Sequence, residues 1–184
     1  MGKYGDETVT RAVFLDRDGV INRSGINNGS PVPPKTIDEF VFLPGVAEAL
    51  NKLKETGFIL VVVTNQPDVN RRQQSKDTVE AMHQKIREDL VIDDIKVCYA
   101  ASDEEADPRR KPAPGMLLEA AEEWNINLRK SYMVGDRWRD IDAGNAAGCK
   151  SIFIDHNYSE KKPDEYIFKT TSLEKAADFI LKNN

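Results

Sequence analysis

Two aspartates one residue apart, Asp16 and Asp18, end the apolar run "AVFL" and are followed at once by Gly19. A bare buried charge is prohibitively expensive, so carboxylates at the end of such a run must be solvated, paired or bound to a metal. Three other apolar runs end in complementary chemistry: Thr64 and Asn65 after "FILVVV", Arg110 and Lys111 beyond "IKVCYAA", and Asp136 and Asp140 after "SYMVG". Several carboxylates with a few oxygen partners make a hard-cation site, and Mg²⁺ is the usual ion for neutralising a phosphate. A lysine, an arginine and a hydroxyl beside it would supply donors for phosphoryl oxygens. Taken singly, each feature has a plain structural explanation: a solvated turn, a β-branched strand residue, a loop lysine before Pro112, a Gly-Asp turn capping a helix near Arg139. Together, at successive strand ends, they favour one shared site.

The elements that must position these residues are readable from periodicity. Five apolar runs, residues 11–16, 58–65, 95–101, 131–136 and 150–155, are rich in Val, Ile, Phe and Tyr and are expected as strands. Between and after them lie segments of helical period. "PGVAEALNKLKETG" opens on Pro44 and closes on Gly57, and "SKDTVEAMHQKIREDL" carries Val79, Met82, Ile86 and Leu90 on one face. "APGMLLEAAEEWNI", "RDIDAGNAAG" and "SLEKAADFILKN" behave similarly. Continuous apolar strands alternating with amphipathic helices predict an α/β fold, a Rossmann-like three-layer sandwich around a mostly parallel sheet of five or more strands. Three elaborate loops, residues 22–36, 66–75 and 102–111, follow strands, where ligands bind in an open α/β sheet. None is long enough for a separate cap domain, so residues 1–184 are expected to form a single domain.

Composition narrows the function classes. No stretch approaches the ~18 consecutive apolar residues of a membrane span, and the formal charge of −5 argues against general nucleic-acid binding. The N-terminal residues lack the h-region of a secretory signal, and Asp6 stands where a myristoylation motif needs Ser or Thr. Cys98 and Cys149 are far apart, which predicts reduced thiols in a cytoplasmic protein. A Ser-His-Asp hydrolase and an ATP-binding P-loop are disfavoured, since neither "GxSxG" nor "GxxxxGK" occurs. His83 and His156 carry no adjacent nucleophile and are expected to be structural.

In this order, "FLDRDGVIN", "VVVTNQ", "RRKPAPGM" and "YMVGDRWRDIDAG" resemble the four motifs of the haloacid dehalogenase-like phosphatases, over residues 11 to 155. The nearest branch is that of the heptose 1,7-bisphosphate 7-phosphatases and histidinol-phosphate phosphatases. The resemblance implies that Asp16 is the nucleophile forming an aspartyl phosphate and that Asp18 is the acid and base. It implies that Thr64 and Lys111 hold the phosphoryl group, and that Asp16, the Asp18 carbonyl and Asp136 bind Mg²⁺ with support from Asp140. Arg110 matches the arginine that recognises the rest of the substrate, with Asn65, Gln66, Arg71 and Arg137 nearby. The implied substrate is a small phosphorylated metabolite, such as a heptose bisphosphate with histidinol phosphate second, and the expected state is a monomer acting on neither nucleic acid nor membrane.

Two loops depart from the pattern. The branch commonly holds a structural zinc through Cys-x-His and Cys-x-Cys, but "CYAASDEEADPRRKP" keeps only Cys98, with Ala100, Asp107 and Arg109 at the other ligand positions. One thiol cannot make a four-ligand site, so no structural zinc is expected, and Pro108, Pro112 and local ion pairs should hold this loop. In "TNQPDVNRRQ", Pro67 and Arg72 make the second loop stiffer and more basic; Arg71 matches the family arginine, whereas Arg72 is additional. Two non-enzyme readings fit the sequence less well. A phospho-receiver places its aspartate directly after the third strand, where "IKVCYAAS" supplies none, and an inactive binding domain would not need both aspartates and the lysine.

Overall fold

The computed structural model describes residues 10–184. The N-terminal readings, including that of Asp6, lie outside the described residues. The elements are β1 (Arg11–Leu15), β2 (Gly25–Asn27), β3 (Ser30–Val32), α1 (Val46–Glu55), β4 (Phe58–Asn65), α2 (Lys76–Asp89), β5 (Asp94–Cys98), α3 (Gly115–Glu123), β6 (Tyr132–Gly135), α4 (Trp138–Ala147), β7 (Lys150–Ile154), β8 (Phe168–Thr170) and α5 (Leu173–Lys182). Six strands pair in the order β5-β4-β1-β6-β7-β8, every ladder parallel.

Alternation along the strands divides the core in two. Val13, Leu15, Leu60, Val62, Val134 and Ile152 face one layer, where they pack with residues of α1, α2 and α5. Ala12, Phe14, Val61, Val63 and Met133 face the other and meet α3 and α4. Both faces of a parallel sheet must be covered, which is why these strands read as unbroken apolar runs rather than alternating ones. Val79, Met82, Ile86 and Leu90 form the buried stripe the sequence predicts, and His83 lies buried with them. Gly57 sits just past α1 at φ 84°, its N–H donating to the Lys54 carbonyl at 2.9 Å, the left-handed end that glycine favours.

Two features extend the sequence reading. The edge strand β8 makes the sheet six-stranded; it is only three residues long, too short for a periodic signal. The loop 22–36 contains the antiparallel hairpin β2–β3, whose turn is Asn28-Gly29, both at positive φ. That dipeptide is a strong hairpin signal, because a two-residue turn matching strand twist needs left-handed backbone at both positions.

The core predicts its own sensitivity. Leu60 is fully buried in the central sheet and Ile26 is 65 % exposed on the hairpin. Leu60→Ala is expected to cost about 2–5 kcal/mol in urea unfolding, and Ile26→Ser within about 0.5 kcal/mol of nothing.

Candidate active site

The strand ends of β1, β4 and β6 converge because β1 lies between the other two. Asp16 follows β1 directly, and its N–H donates to the Val134 carbonyl of β6 at 3.0 Å, so the ladder fixes its backbone. Lys111 reaches the same point from the loop after β5. Its Nζ is 2.7 Å from Asp16 Oδ1, 2.6 Å from Asp140 Oδ1 and 2.7 Å from the Val63 carbonyl, so all three ammonium protons have acceptors. Asn65 pins the lysine backbone from both sides, donating to its carbonyl at 2.9 Å and accepting from its N–H at 3.1 Å.

Asp136 completes the cluster. Tyr158 donates to its Oδ2 at 2.8 Å, while its Oδ1 is buried without a partner. One carboxylate oxygen each of Asp16, Asp136 and Asp140 lies within 4.8 Å of the others. Three buried carboxylates face a single ammonium, which leaves two negative charges, the amount one divalent cation neutralises. The donor set is all oxygen and suits Mg²⁺. Burial, then the neighbouring Asp140 charge, pushes the Asp16 pKa up to about 7 against the pull of Lys111. Asp136 is driven well upward by burial and by Asp16 and Asp140. Burial opposes the charge on Lys111, but Asp140 and Asp16 outweigh it and hold the lysine above its ordinary value.

Asp18 is set differently. Arg17 forks onto both its oxygens at 2.9 and 3.0 Å, Asn22 donates to Oδ1 at 2.9 Å and Gln66 to Oδ2 at 2.8 Å. Burial would raise its pKa, yet these donors together hold it below the usual carboxylate value. Two carboxyl groups two residues apart thus have opposite electrostatic settings: without a cation Asp16 is driven toward its protonated form and Asp18 is held ionised, so a cation beside Asp16 is what would keep it a carboxylate.

A cavity of about 420 Å³ opens above this floor. Of the residues chosen from sequence, Asp16, Asp18, Asn65, Arg71, Lys111, Asp136, Arg137 and Asp140 line it. Thr64 and Gln66 lie beneath, buried, with Gln66 Nε2 donating to the Thr64 hydroxyl at 3.0 Å. Arg110 lines a neighbouring cavity instead, bound to Asp103 at 2.8 Å and to the Ala100 carbonyl. Arg137 pairs with Glu160 at 2.6 Å, and Arg71 donates to the Ala101 carbonyl at 2.8 Å. Sequence reasoning missed Tyr158 and gave His156 only a structural role, without its place beside the site. His156 Nε2 donates to the Gly19 carbonyl at 2.7 Å, and both residues lie on a loop without periodicity. It also missed the wall formed by Pro31, Val32 and Pro33, which the Asn28-Gly29 turn could have signalled.

Known proteins resemble this chain in sequence and in fold. Residues 32–148 match the family model described as a haloacid dehalogenase-like hydrolase. The chain belongs to the haloacid dehalogenase-like hydrolases. It is similar to the D-glycero-beta-D-manno-heptose-1,7-bisphosphate 7-phosphatase of Yersinia pestis, 40% identical over 94% of this chain and 90% of that one. The enzyme of the same name from Rhodopseudomonas palustris is 34% identical over 74% of this chain and 79% of its own. Among solved structures, D,D-heptose 1,7-bisphosphate phosphatase from B. bronchiseptica, complexed with magnesium and phosphate, superposes with a TM-score of 0.80. It is 26% identical, covering 95% of this chain and 100% of the other.

Within this haloacid dehalogenase-like frame the two altered loops have physical explanations. Arg72 is exposed and adopts φ 59°, a left-handed position more usual for glycine. In the third loop Cys98 Sγ lies 3.6 Å from Asp107 Oδ2, and Asp107 Oδ1 accepts from the Arg109 N–H at 2.8 Å. Asp103 binds both Arg110 and Arg139, Arg109 pairs with Glu119, and Pro108 accepts from the Gly115 N–H at 2.9 Å.

Gly19 is the tightest point of the hydrolase site. It has φ 84°, and a Cβ there would lie 1.9 Å from Asp136 Oδ2. Gly19→Ala is expected to displace Asp136 and weaken Mg²⁺ binding by about tenfold or more in calorimetry, since losing support of a ligand typically costs 10–100-fold. Gly57→Ala shares the positive φ but has nothing within 4 Å, and should cost only about 1 kcal/mol of stability with Mg²⁺ affinity unchanged.

Proposed function

We propose that the chain is a Mg²⁺-dependent phosphomonoesterase acting through an aspartyl phosphate, with a heptose 1,7-bisphosphate as substrate. The carrying observation is the Asp16 carboxylate tied to Lys111 on the cavity floor, beside the partnerless oxygen of Asp136. The names of the Yersinia pestis and Rhodopseudomonas palustris relatives support the substrate.

Asp16 attacks phosphorus, so that an Asp16–phosphorus bond forms as the ester P–O bond breaks, and Asp18, which must enter this step protonated against the pull of its donors, gives that proton to the departing alkoxide. Asp18 then takes a proton from water as that water attacks the aspartyl phosphate, which returns Asp16 and releases inorganic phosphate. Asp16, Asp136 and the Asp18 carbonyl would hold Mg²⁺, which when bound supplies charge neutralisation for the incoming phosphate. Lys111 carries its positive charge to the same place and orients Asp16. Thr64, Asn65 and Gln66 act from behind, Asn65 by fixing Lys111 and Gln66 by holding Asp18. Arg71 and Arg137 stand at the cavity wall and Arg110 at the adjoining cavity, where they serve the distal part of the substrate.

The same reading takes residues 1–184 as a single catalytic unit, a cytoplasmic monomer acting on a small metabolite and not on nucleic acid or membranes. The net charge of −5 supports it, and no helix among the described residues is long and apolar enough to cross a membrane. It includes no structural zinc. Burial, with Asp107 beside it, raises the pKa of the Cys98 thiol, which opposes the thiolate that zinc needs.

Phosphate release should be measured on heptose 1,7-bisphosphates, other phosphosugars and histidinol phosphate, with Mg²⁺ or with chelator. Turnover should require Mg²⁺ and be fastest on the heptose bisphosphate. Asp16→Asn should lower it by at least ~10³-fold, as losses of a covalent nucleophile do; turnover surviving in Asp16→Asn would sink the aspartyl-phosphate mechanism. Metal analysis of protein purified without chelator should find no stoichiometric zinc, and one tightly held zinc per chain would refute that part.

A further inference from the structure

Arg17, the residue between the two aspartates, points away from the cavity. It is fully buried, among the largest side chains in the protein to be so. Nε and Nη2 are spent on Asp18, and Nη1 lies 3.3 Å from His83 Nε2. His83 is itself fully buried on the inner face of α2, and the Phe40 ring centroid lies 5.6 Å from the guanidinium carbon. An arginine is always protonated and only donates, so Nε2 must be the acceptor and the ring proton sits on Nδ1. Nδ1 faces Glu80 Oε2 at 3.7 Å, and Glu80 Oε1 accepts from Tyr99 at 2.5 Å. Burial and the facing Arg17 charge depress the His83 pKa to about 4, which keeps the ring in the accepting form at neutral pH.

We infer that His83, acting through Arg17, is a positioning residue for Asp18: it is the acceptor that fixes the guanidinium so that its opposite edge aims the Asp18 carboxyl at the leaving group. The inference rests on the proposed phosphomonoesterase reading, in which Asp18 delivers the proton. Asp18 lines the cavity with 18 % of its side chain exposed, and its donors come from the buried Arg17, Asn22 and Gln66. The carboxyl is therefore backed on its protein side and open toward the substrate. A residue with no acceptor at position 83 would leave a buried guanidinium edge unpaired. The guanidinium would turn toward other acceptors and carry the Asp18 carboxyl with it.

The test separates aim from general packing. A sugar alkoxide needs a proton to leave, whereas p-nitrophenolate leaves without one, so misaim of the acid penalises only the first in kcat/KM, which reports the steps through leaving-group departure; the later hydrolysis, with Asp18 as base, is common to both. For His83→Met, kcat/KM on heptose 1,7-bisphosphate should fall at least ~10-fold while kcat/KM on p-nitrophenyl phosphate falls less than ~3-fold, a partial loss of general-acid catalysis. His83→Gln, whose amide oxygen can accept from Nη1, should restore the ratio. Equal loss on both substrates, or no loss on either, would overturn the inference. If His83→Met does not fold by circular dichroism, Arg17→Lys decides: it keeps the charge without the fork, so an unchanged ratio overturns the inference. Wild-type protein that releases no phosphate with Mg²⁺ would overturn the functional reading and this one with it.

Discussion

The buried ammonium of Lys111 is the interaction on which the site depends. Its three protons bind a carboxylate following β1, a carboxylate on α4 and a carbonyl of β4, so one side chain ties together three elements. Taking such a group out of water costs several kcal/mol, and the compensation comes from complete pairing. The neutralisation is nonetheless partial, because Asp136 adds a third carboxylate with one oxygen unpartnered. A floor left with surplus negative charge would repel a phosphate, so it works only with a cation that reverses its sign. The lysine determines where the carboxylates sit, and their excess charge calls for the metal.

Sheet order makes this economical. With β1 between β4 and β6, backbone register alone brings Asp16 beside Val63 and Val134. Lys111 has no such support, since β5 is one strand further out and a long loop must carry the lysine back. The two hydrogen bonds from Asn65 to the Lys111 backbone answer that need. Tyr158 and His156 do the same work from the opposite side, one holding Asp136 and the other the Gly19 turn. The catalytic groups are few, and most of the surrounding polar residues keep them in place.

This division explains what could be read without coordinates. Asp16, Asp18 and Asp136 follow apolar runs whose strand character is unambiguous, so their convergence was legible from the parallel-sheet pattern, whereas Lys111, carried back by a long loop after β5, was legible only from its motif. Tyr158 and His156 lie on a loop joining β7 to β8, where no periodicity says which way a side chain points. Arg17 resisted for a different reason: successive residues at a strand end alternate sides. Its charge suggests solvent, yet its direction places it in the core, and only the buried His83 and Asp18 make that tolerable. The Asn28-Gly29 hairpin was legible from its dipeptide but overshadowed by the surrounding Gly, Pro and Ser, which read as irregular loop. Arg110 shows the converse limit, since motif position identifies the residue but not the cavity its side chain enters.

The walls of the cavity are built on other terms than its floor. The hairpin side is braced to the second loop by Lys35 and Asp68, and Asp68 also meets Arg71 at 3.7 Å. Asp103, 57 % exposed, gathers Arg110 and Arg139. Exposed pairs of this kind contribute about 0–1 kcal/mol each, so exchanging them disturbs stability little, whereas any change among Asp16, Lys111 and Asp140 leaves a buried charge unpaired. Substitutions should therefore accumulate in the walls before they reach the floor, and Pro67, Arg72 and Asp107 all lie in wall loops. The floor confines the chain to one kind of chemistry, and the weakly tied arginines and prolines above it leave the shape of the accepted substrate free to change.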